Sequence, residues 1–331
     1  PQAAWLYERG PKRLTQLYLT RPDLAGAALA PMHGREIRAR DGLAMASYLT
    51  LPPASDPART GRPTSPAPMV LFPHGGPWGR DVYGYNAYHQ FLANRGYAVL
   101  APNFRSSLGF GKAHLVAGNR EWATKIQDDL LDAVKWAIDE GIADKDRIAV
   151  MGGSFGGYCV LAQLAFHPDV FACGVDIVGP SNLMTLLATM PAYWEAMRVQ
   201  MYARVGDPTT PEGAALLKAH SPLTKADAIR KPLLIAQGAN DPRVKQAESD
   251  QIVAAMEAKA IPVAYLLFPD EGHGFARPEN NIAFMAAAEH FLAQWIGGRA
   301  EPYEAALKPS SLTAPHGARF VPGLEAALAA R

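Results

Sequence analysis

Seven residues, Gly152-Gly153-Ser154-Phe155-Gly156-Gly157-Tyr158, follow directly on the apolar run Ile148-Ala149-Val150-Met151. A serine boxed by glycines at that place commits the chain to a strand, a sharp reversal and a helix within a few residues. The reversal holds Ser154 in a strained backbone region with its hydroxyl projecting outward. Side chains at 152 and 156 would collide across so tight a turn. Taken alone, the pattern is also that of an ordinary Gly-rich turn with an incidental serine. The rest of the chain decides between the two.

The sequence around the motif alternates. Apolar strands are expected at 69–72, 97–102, 148–151, 172–178, 232–237 and 263–268, and helices at 85–94, 121–140, 155–166, 245–259 and 282–295. Within 121–140, Ile126, Leu130, Val134 and Ile138 recur every four residues, an amphipathic stripe. Continuous apolar strands with helical crossovers predict an α/β fold whose mostly parallel sheet, of about eight strands, is covered by helices on both faces. Ahead of it, 4–8 and 14–19 read as a hairpin turning at Arg9-Gly10-Pro11. A lone hairpin is barely stable, so it has to pack on something. Further strands are expected near 36–39 and 44–49, and 52–68 is a Pro-rich surface loop. The segment 181–230 breaks the alternation with helical, Met- and aromatic-rich sequence, as an inserted cap would. The chain therefore divides into an N-terminal extension over 1–34, an α/β body over 35–300 and a C-terminal tail over 301–331.

Bulk properties narrow the function classes. The chain has 331 residues, 49% hydrophobic and 19% charged, the balance of a soluble globular protein. A net charge of +1 gives no electrostatic pull towards nucleic acid or an anionic membrane. No apolar run has the length of a membrane span, and the start lacks the pattern of a signal peptide. The absence of an initiator Met fits a removed residue or a piece of something longer. Two cysteines, Cys159 and Cys173, exclude a disulfide framework and lack metal-site spacing; both read as buried small apolar residues. Gly109-Phe110-Gly111-Lys112-Ala113 hints at a phosphate loop but lacks the first glycine and the final Ser/Thr. No pattern suggests a metal or another cofactor. Asp128 and Asp129, near Arg105, read as a structural ion pair.

A serine nucleophile needs a histidine to take its proton, an acid to orient that histidine, and donors for an oxyanion. In the α/β-hydrolase arrangement these follow in the order serine, acid, histidine, each at the C-terminal end of a strand. Asp241, in Gly238-Ala239-Asn240-Asp241-Pro242-Arg243-Val244, stands where the acid belongs; its alternative is a turn Asp before Pro. His273 alone of the histidines follows the last strand in a glycine-flanked loop. Asp270 and Glu271 are rival acids, too close in sequence to reach the far nitrogen of His273, and Asp176 is a weaker rival. The N–H of Phe155 at the helix start and that of Gly76, in Pro73-His74-Gly75-Gly76-Pro77-Trp78, are the expected oxyanion donors.

With these residues in place, 35–300 resembles the catalytic domain of the prolyl oligopeptidase family of serine peptidases, nearest its acylaminoacyl-peptidase-like branch. Several motifs occur in order: His74-Gly75-Gly76-Pro77, the run from Asn103 to Gly111, Asp144-Lys145-Asp146-Arg147-Ile148 leading into the Ser154 turn, Asp241-Pro242-Arg243-Val244, and Glu271-Gly272-His273-Gly274-Phe275. One departure is Ser106, where relatives usually have Gly. The resemblance implies Ser154 as nucleophile, His273 as base and then acid, and Asp241 as its orienter, with an acyl-enzyme and no cofactor. It matches Arg243 to an arginine that binds a substrate carbonyl in some relatives. By position, Phe155, Val178, Met184 and Val244, with Trp78 beside the glycine loop, are expected around the residue before the scissile bond; each is equally a core residue. Family members carry an N-terminal β-propeller that screens substrates by size, and 1–34 resembles at most the end of its last blade. The implied partner is a peptide or small acyl substrate. A carboxylesterase and a non-catalytic binding scaffold are the alternatives. Homo-oligomer formation stays open, as does the compartment, cytoplasm or periplasm.

Overall fold

Each expected apolar run becomes a strand in the computed structural model, which describes residues 2–303 and 305–331. β1 (Ala3–Glu8) and β2 (Arg13–Leu19) form the N-terminal hairpin, a separate two-stranded sheet. Trp5, Tyr7, Leu14, Leu17 and Tyr18 on it are more than half exposed. The packing partner expected for this hairpin is therefore not found among the described residues. The remaining strands are β3 (Met32–Arg38), β4 (Ala44–Thr50), β5 (Ala67–Leu71), β6 (Ala98–Pro102), β7 (Ala143–Gly153), β8 (Cys173–Ile177), β9 (Leu233–Gly238), β10 (Val263–Phe268) and β11 (Thr313–His316).

These make one nine-stranded sheet in the order β11-β10-β9-β8-β7-β5-β6-β4-β3. The run from β6 to β10 is parallel throughout. β4 and β3 extend one edge antiparallel, and β11 closes the other. The ninth strand corrects the expected count of about eight: the 301–331 tail contributes β11 instead of trailing free.

Alternation along the strands divides the core. Met69, Leu71, Ile148 and Val150 point to one face, Val70, Ala149 and Met151 to the other. The first face is covered by α3 (Lys125–Asp139), α4 (Phe155–Phe166) and α8 (Gln246–Glu257); the second by α1 (Ala87–Asn94), α9 (Pro278–Ile296) and α10 (Leu324–Ala329). The expected stripe on α3 puts Ile126, Leu130 and Val134 in the first core. α2 (Lys112–Val116) is a short helix at the surface of the loop after β6. Between β8 and β9 the chain inserts α5 (Leu183–Ala188), α6 (Arg198–Arg204) and α7 (Pro211–Ala219) with two 3₁₀ turns, the helical segment the sequence marks off. Tyr158 on α4 donates to the His220 carbonyl (2.8 Å) and ties this insertion to the body.

The buried carboxylate on α3 is Asp129, held by Arg105 through two bonds of 2.8 and 2.6 Å. Asp128, one position earlier, faces outward and pairs with Arg40 at 2.8 Å. The ion-pair expectation thus holds for both carboxylates, with Arg105 as the partner of Asp129 and Arg40 as that of Asp128. Ser106 has φ 82°, a left-handed conformation that glycine adopts more easily than serine. Both cysteines are free and buried, and burial pushes the Cys159 thiol up to about 12.

Candidate active site

β7 runs out at Gly153, and Ser154 turns the chain at φ 58°, ψ −116° before α4 begins. The backbone is fixed on both sides of that turn. Ser154 N–H donates to the Ile177 carbonyl of β8 (2.8 Å), and its own carbonyl accepts from Tyr158 (2.9 Å). A Cβ at Gly152 would lie 2.7 Å from the Gly156 backbone, and one at Gly156 would lie 2.2 Å from the Pro73 carbonyl oxygen. Gly152 is excluded from substitution by the turn itself, Gly156 by the loop after β5. Val178, at the end of the adjacent strand β8, has φ 50°, unusual for a β-branched residue, so two neighbouring positions of the site hold unfavourable backbone.

The loops after β9 and β10 bring the other two residues to Ser154. His273 Nε2 lies 2.9 Å from Ser154 Oγ, and His273 Nδ1 lies 2.7 Å from Asp241 Oδ2. Asp241 is 2% exposed, and its second oxygen accepts from the N–H groups of Arg243 (2.8 Å) and Val244 (2.9 Å). Three donors therefore fix the carboxylate in place. The two loops are laced together: Asn240 N–H donates to the Glu271 carbonyl (2.9 Å), and a Cβ at Gly238 would meet the Gly272 carbonyl at 2.2 Å. Glu271 accepts from Ala276 N–H (3.0 Å), Arg277 N–H (2.9 Å) and Asn280 (2.9 Å), and so shapes the His273 loop. Asp270 turns to Arg277 (3.0 Å) and Asn280 (3.0 Å). Asp176 is fully buried beneath α4, accepting from Gly179 N–H (2.9 Å). None of the three rival acids is bonded to His273.

Opposite these loops runs the segment after β5. His74 Nδ1 lies 2.7 Å from the Gly75 carbonyl, and Nε2 lies 2.7 Å from Ser107 Oγ. Burial pulls the His74 ring down to about 4, so it is neutral and carries one proton. That proton belongs on Nδ1, because a carbonyl can only accept. With the Gly75 carbonyl turned to His74, the trans peptide points the Gly76 N–H the other way.

Ser154 and His273 open into a cavity of about 310 Å³ whose walls include Phe72, Gly75, Asp81, Tyr88, Ile177 and Val178. A larger cavity of about 490 Å³ lies on the far side of Tyr88, between α1 and α9, and contains no nucleophile. Of the residues expected around the substrate, Val178 lines the site cavity. The others are placed elsewhere. The Phe155 ring is 2% exposed and packs against Trp122 (4.7 Å between centroids) and Tyr158 (5.4 Å). Val244 is buried in the first core, with Met184 and Trp78 packed against it. Burial of apolar area draws these side chains into the core. Arg243 is exposed, its backbone N–H on Asp241. Gly75, just before the expected donor Gly76, lines the cavity, with its Cβ position 3.6 Å from Ser154 Cβ. Asp81 and Tyr88 are wall residues that the sequence reading misses. Among the described residues, no group of three metal-ligating side chains is assembled and no helix is long and apolar enough to cross a membrane.

Comparison with known proteins gives the family and the fold. The family model described as "Prolyl oligopeptidase family" matches residues 83–299. Dipeptidyl aminopeptidase BIII of Pseudoxanthomonas mexicana is 58% identical over 328 residues, covering 99% of this chain and 48% of that protein. Dipeptidyl peptidase family member 6 of Caenorhabditis elegans is 46% identical, covering 92% of this chain and 43% of that protein. Acylamino-acid-releasing enzymes match at lower identity, 29% for that of Arabidopsis thaliana. Among solved structures, a puromycin-hydrolyzing peptidase of Mycobacterium tuberculosis superposes with a TM-score of 0.81 at 26% identity, over 91% of this chain and 45% of that one. The chain spans about half the length of the proteins it matches.

Proposed function

The chain belongs to the prolyl oligopeptidase family of serine peptidases, and from that premise we propose that it hydrolyses peptide bonds through Ser154, His273 and Asp241 and an acyl-enzyme. The observation that carries this reading is the unbroken hydrogen-bonded series from Asp241 through His273 to Ser154. His273 Nε2 takes the Ser154 proton as Oγ bonds to the scissile carbonyl carbon. The oxygen that gains charge is received by the Phe155 N–H at the start of α4 and by the Gly76 N–H, which the His74 bond to Gly75 orients. His273 then gives its proton to the leaving nitrogen, the C–N bond breaks, and the acyl group stays on Ser154. Water, deprotonated by the same ring, releases it. Asp241 keeps Nδ1 protonated and so presents Nε2 as the base.

The name of the 58%-identical relative supports the finer reading of a dipeptidyl aminopeptidase, which releases two residues at a time from a peptide's start. A division into an extension over 1–34, a catalytic body over 35–300 and a tail over 301–331 belongs to the same proposal. Esterase action is a second reading, favoured by the apolar walls Phe72, Ile177 and Val178. Comparing dipeptide anilides with short-chain p-nitrophenyl esters separates the two; turnover of esters alone favours the second. The mechanism itself is tested with a fluorophosphonate, which is expected to label Ser154 stoichiometrically. Labelling that persists in Ser154→Ala overturns the assignment.

A further inference from the structure

We infer that Asp81 is a specificity-determining residue that receives a primary ammonium group of the substrate, inside the cavity that Ser154 and His273 line. The inference rests on the peptidase reading above and deepens it. Asp81 is held by its backbone alone. Its N–H donates to Asn103 Oδ1 (2.8 Å), and its carbonyl accepts from Asn103 Nδ2 (3.4 Å) and Arg80 Nε (3.3 Å). Asn103 is itself fully buried and anchored on the Ala46 carbonyl (2.9 Å). The carboxylate is thus set in place by its neighbours while its own oxygens make no hydrogen bond among the described residues. Oδ2 is buried with no partner, while the residue as a whole stays partly exposed on the cavity wall.

No cation answers this charge. The guanidinium of Arg80, next in sequence, turns to the Phe110 ring at 4.7 Å. His74 is neutral, and the His273 ring is committed to Asp241 and Ser154. Tyr88, the remaining titratable group on the wall, is a phenol that burial keeps protonated. The other side chains around Asp81 include Phe72, Pro73, Ile177 and Val178. Folded proteins partner almost all buried polar groups, so one left without a partner on the wall of a cavity calls for a group that supplies the missing bond. Burial with no compensating charge pushes the Asp81 carboxyl up to about 7. An arriving ammonium reverses that shift, because the ionised pair is attractive and the apolar walls weaken screening. A carboxylate can accept two or three hydrogen bonds, which is what a primary ammonium offers.

The ammonium has two sources, the α-amino group of a peptide's first residue or a lysine side chain. The full-length protein, its Asp81→Asn form and an Asp81→Ser form should be compared on Ala-Ala-p-nitroanilide, N-acetyl-Ala-Ala-p-nitroanilide and N-acetyl-Ala-Lys-p-nitroanilide. For the source that Asp81 receives, the ratio of kcat/KM to that of N-acetyl-Ala-Ala-p-nitroanilide falls about 10- to 100-fold in both variants, the size of a charge-assisted bond. A fall for Ala-Ala identifies the α-amino group; a fall for N-acetyl-Ala-Lys identifies the side chain. Ratios unchanged within about twofold in both variants overturn the inference. Fluorophosphonate labelling of the same proteins separates the two layers. Labelled variants with unchanged ratios remove Asp81 alone, and an unlabelled parent removes the peptidase reading and this inference with it.

Discussion

The cavity has two sides built on opposite plans. On the side of the loops after β9 and β10, polar groups are answered within the protein. Asp241 has three donors, Glu271 has three, Gln237 is held at Gly238, Val244 and Ser249, and Asn240 reaches the Pro269 carbonyl at 2.7 Å. On the side that follows β5, Asp81 Oδ2 and His89 Nε2 are buried with no partner, and burial leaves the His89 ring neutral, down to about 4. The first side has its geometry fixed before any substrate arrives. The second keeps unmet hydrogen-bonding capacity, at Asp81 against the same space and at His89 behind the Phe72 ring. Preorganisation suits groups that move protons, and unmet capacity suits groups that select what enters.

Three changes test how sharp that contrast is. The largest effect is expected from Asp241→Asn. The amide keeps an acceptor for Arg243 and Val244 but places an N–H donor against His273 Nδ1 or forces the wrong tautomer. Turnover of a dipeptide anilide should fall on the order of 10⁴-fold with little change in fold. A fall below tenfold would mean that the first side is not preorganised around this carboxylate. Glu271→Gln should act on stability. One amide oxygen replaces two carboxylate oxygens facing three donors, costing about 1–3 kcal/mol. The melting temperature should drop by a few degrees. A hundredfold loss of kcat at unchanged melting temperature would instead move Glu271 among the reacting groups.

Asp176 supplies the smallest effect and a control. Like Asp81 it has a buried Oδ2 without a partner, but it sits under α4, away from the cavity walls. Burial raises its carboxyl from 3.8 to about 7. Between those values the folded protein keeps a proton that the unfolded chain has released, so stability falls as pH rises through that window. The slope is at most about 1.4 kcal/mol per pH unit. Asp176→Asn removes it, so the melting-temperature difference between variant and parent should grow in the variant's favour from pH 4 to pH 7. A difference independent of pH would show that burial there does not hold the proton.

Most of the fold was readable because fully buried strands announce themselves as unbroken apolar runs: Val70, Ala149 and Leu266 each lie in one. β11 was not, because Thr313-Ala314-Pro315-His316 is short, half-exposed and carries a proline, all marks of a loop. The three residues joined by hydrogen bonds at the site followed from strand order, since Ser154, Asp241 and His273 each come just after a strand's C-terminal end. The walls did not follow. Trp78, Met184 and Val244 are as apolar as Val178, and only tertiary packing decides which of them faces the cavity. Asp81 carried no sequence signal at all. Its exposure depends on Asn103, 22 residues later, holding its backbone.

The backbone angles at Ser154 set two selective pressures against each other. A side chain at φ 58°, ψ −116° is held there against about 1–3 kcal/mol of local strain. Glycine would sit at that position without it. A search among variants for heat resistance alone therefore drifts towards losing the hydroxyl at 154, and only a screen that also scores turnover retains it.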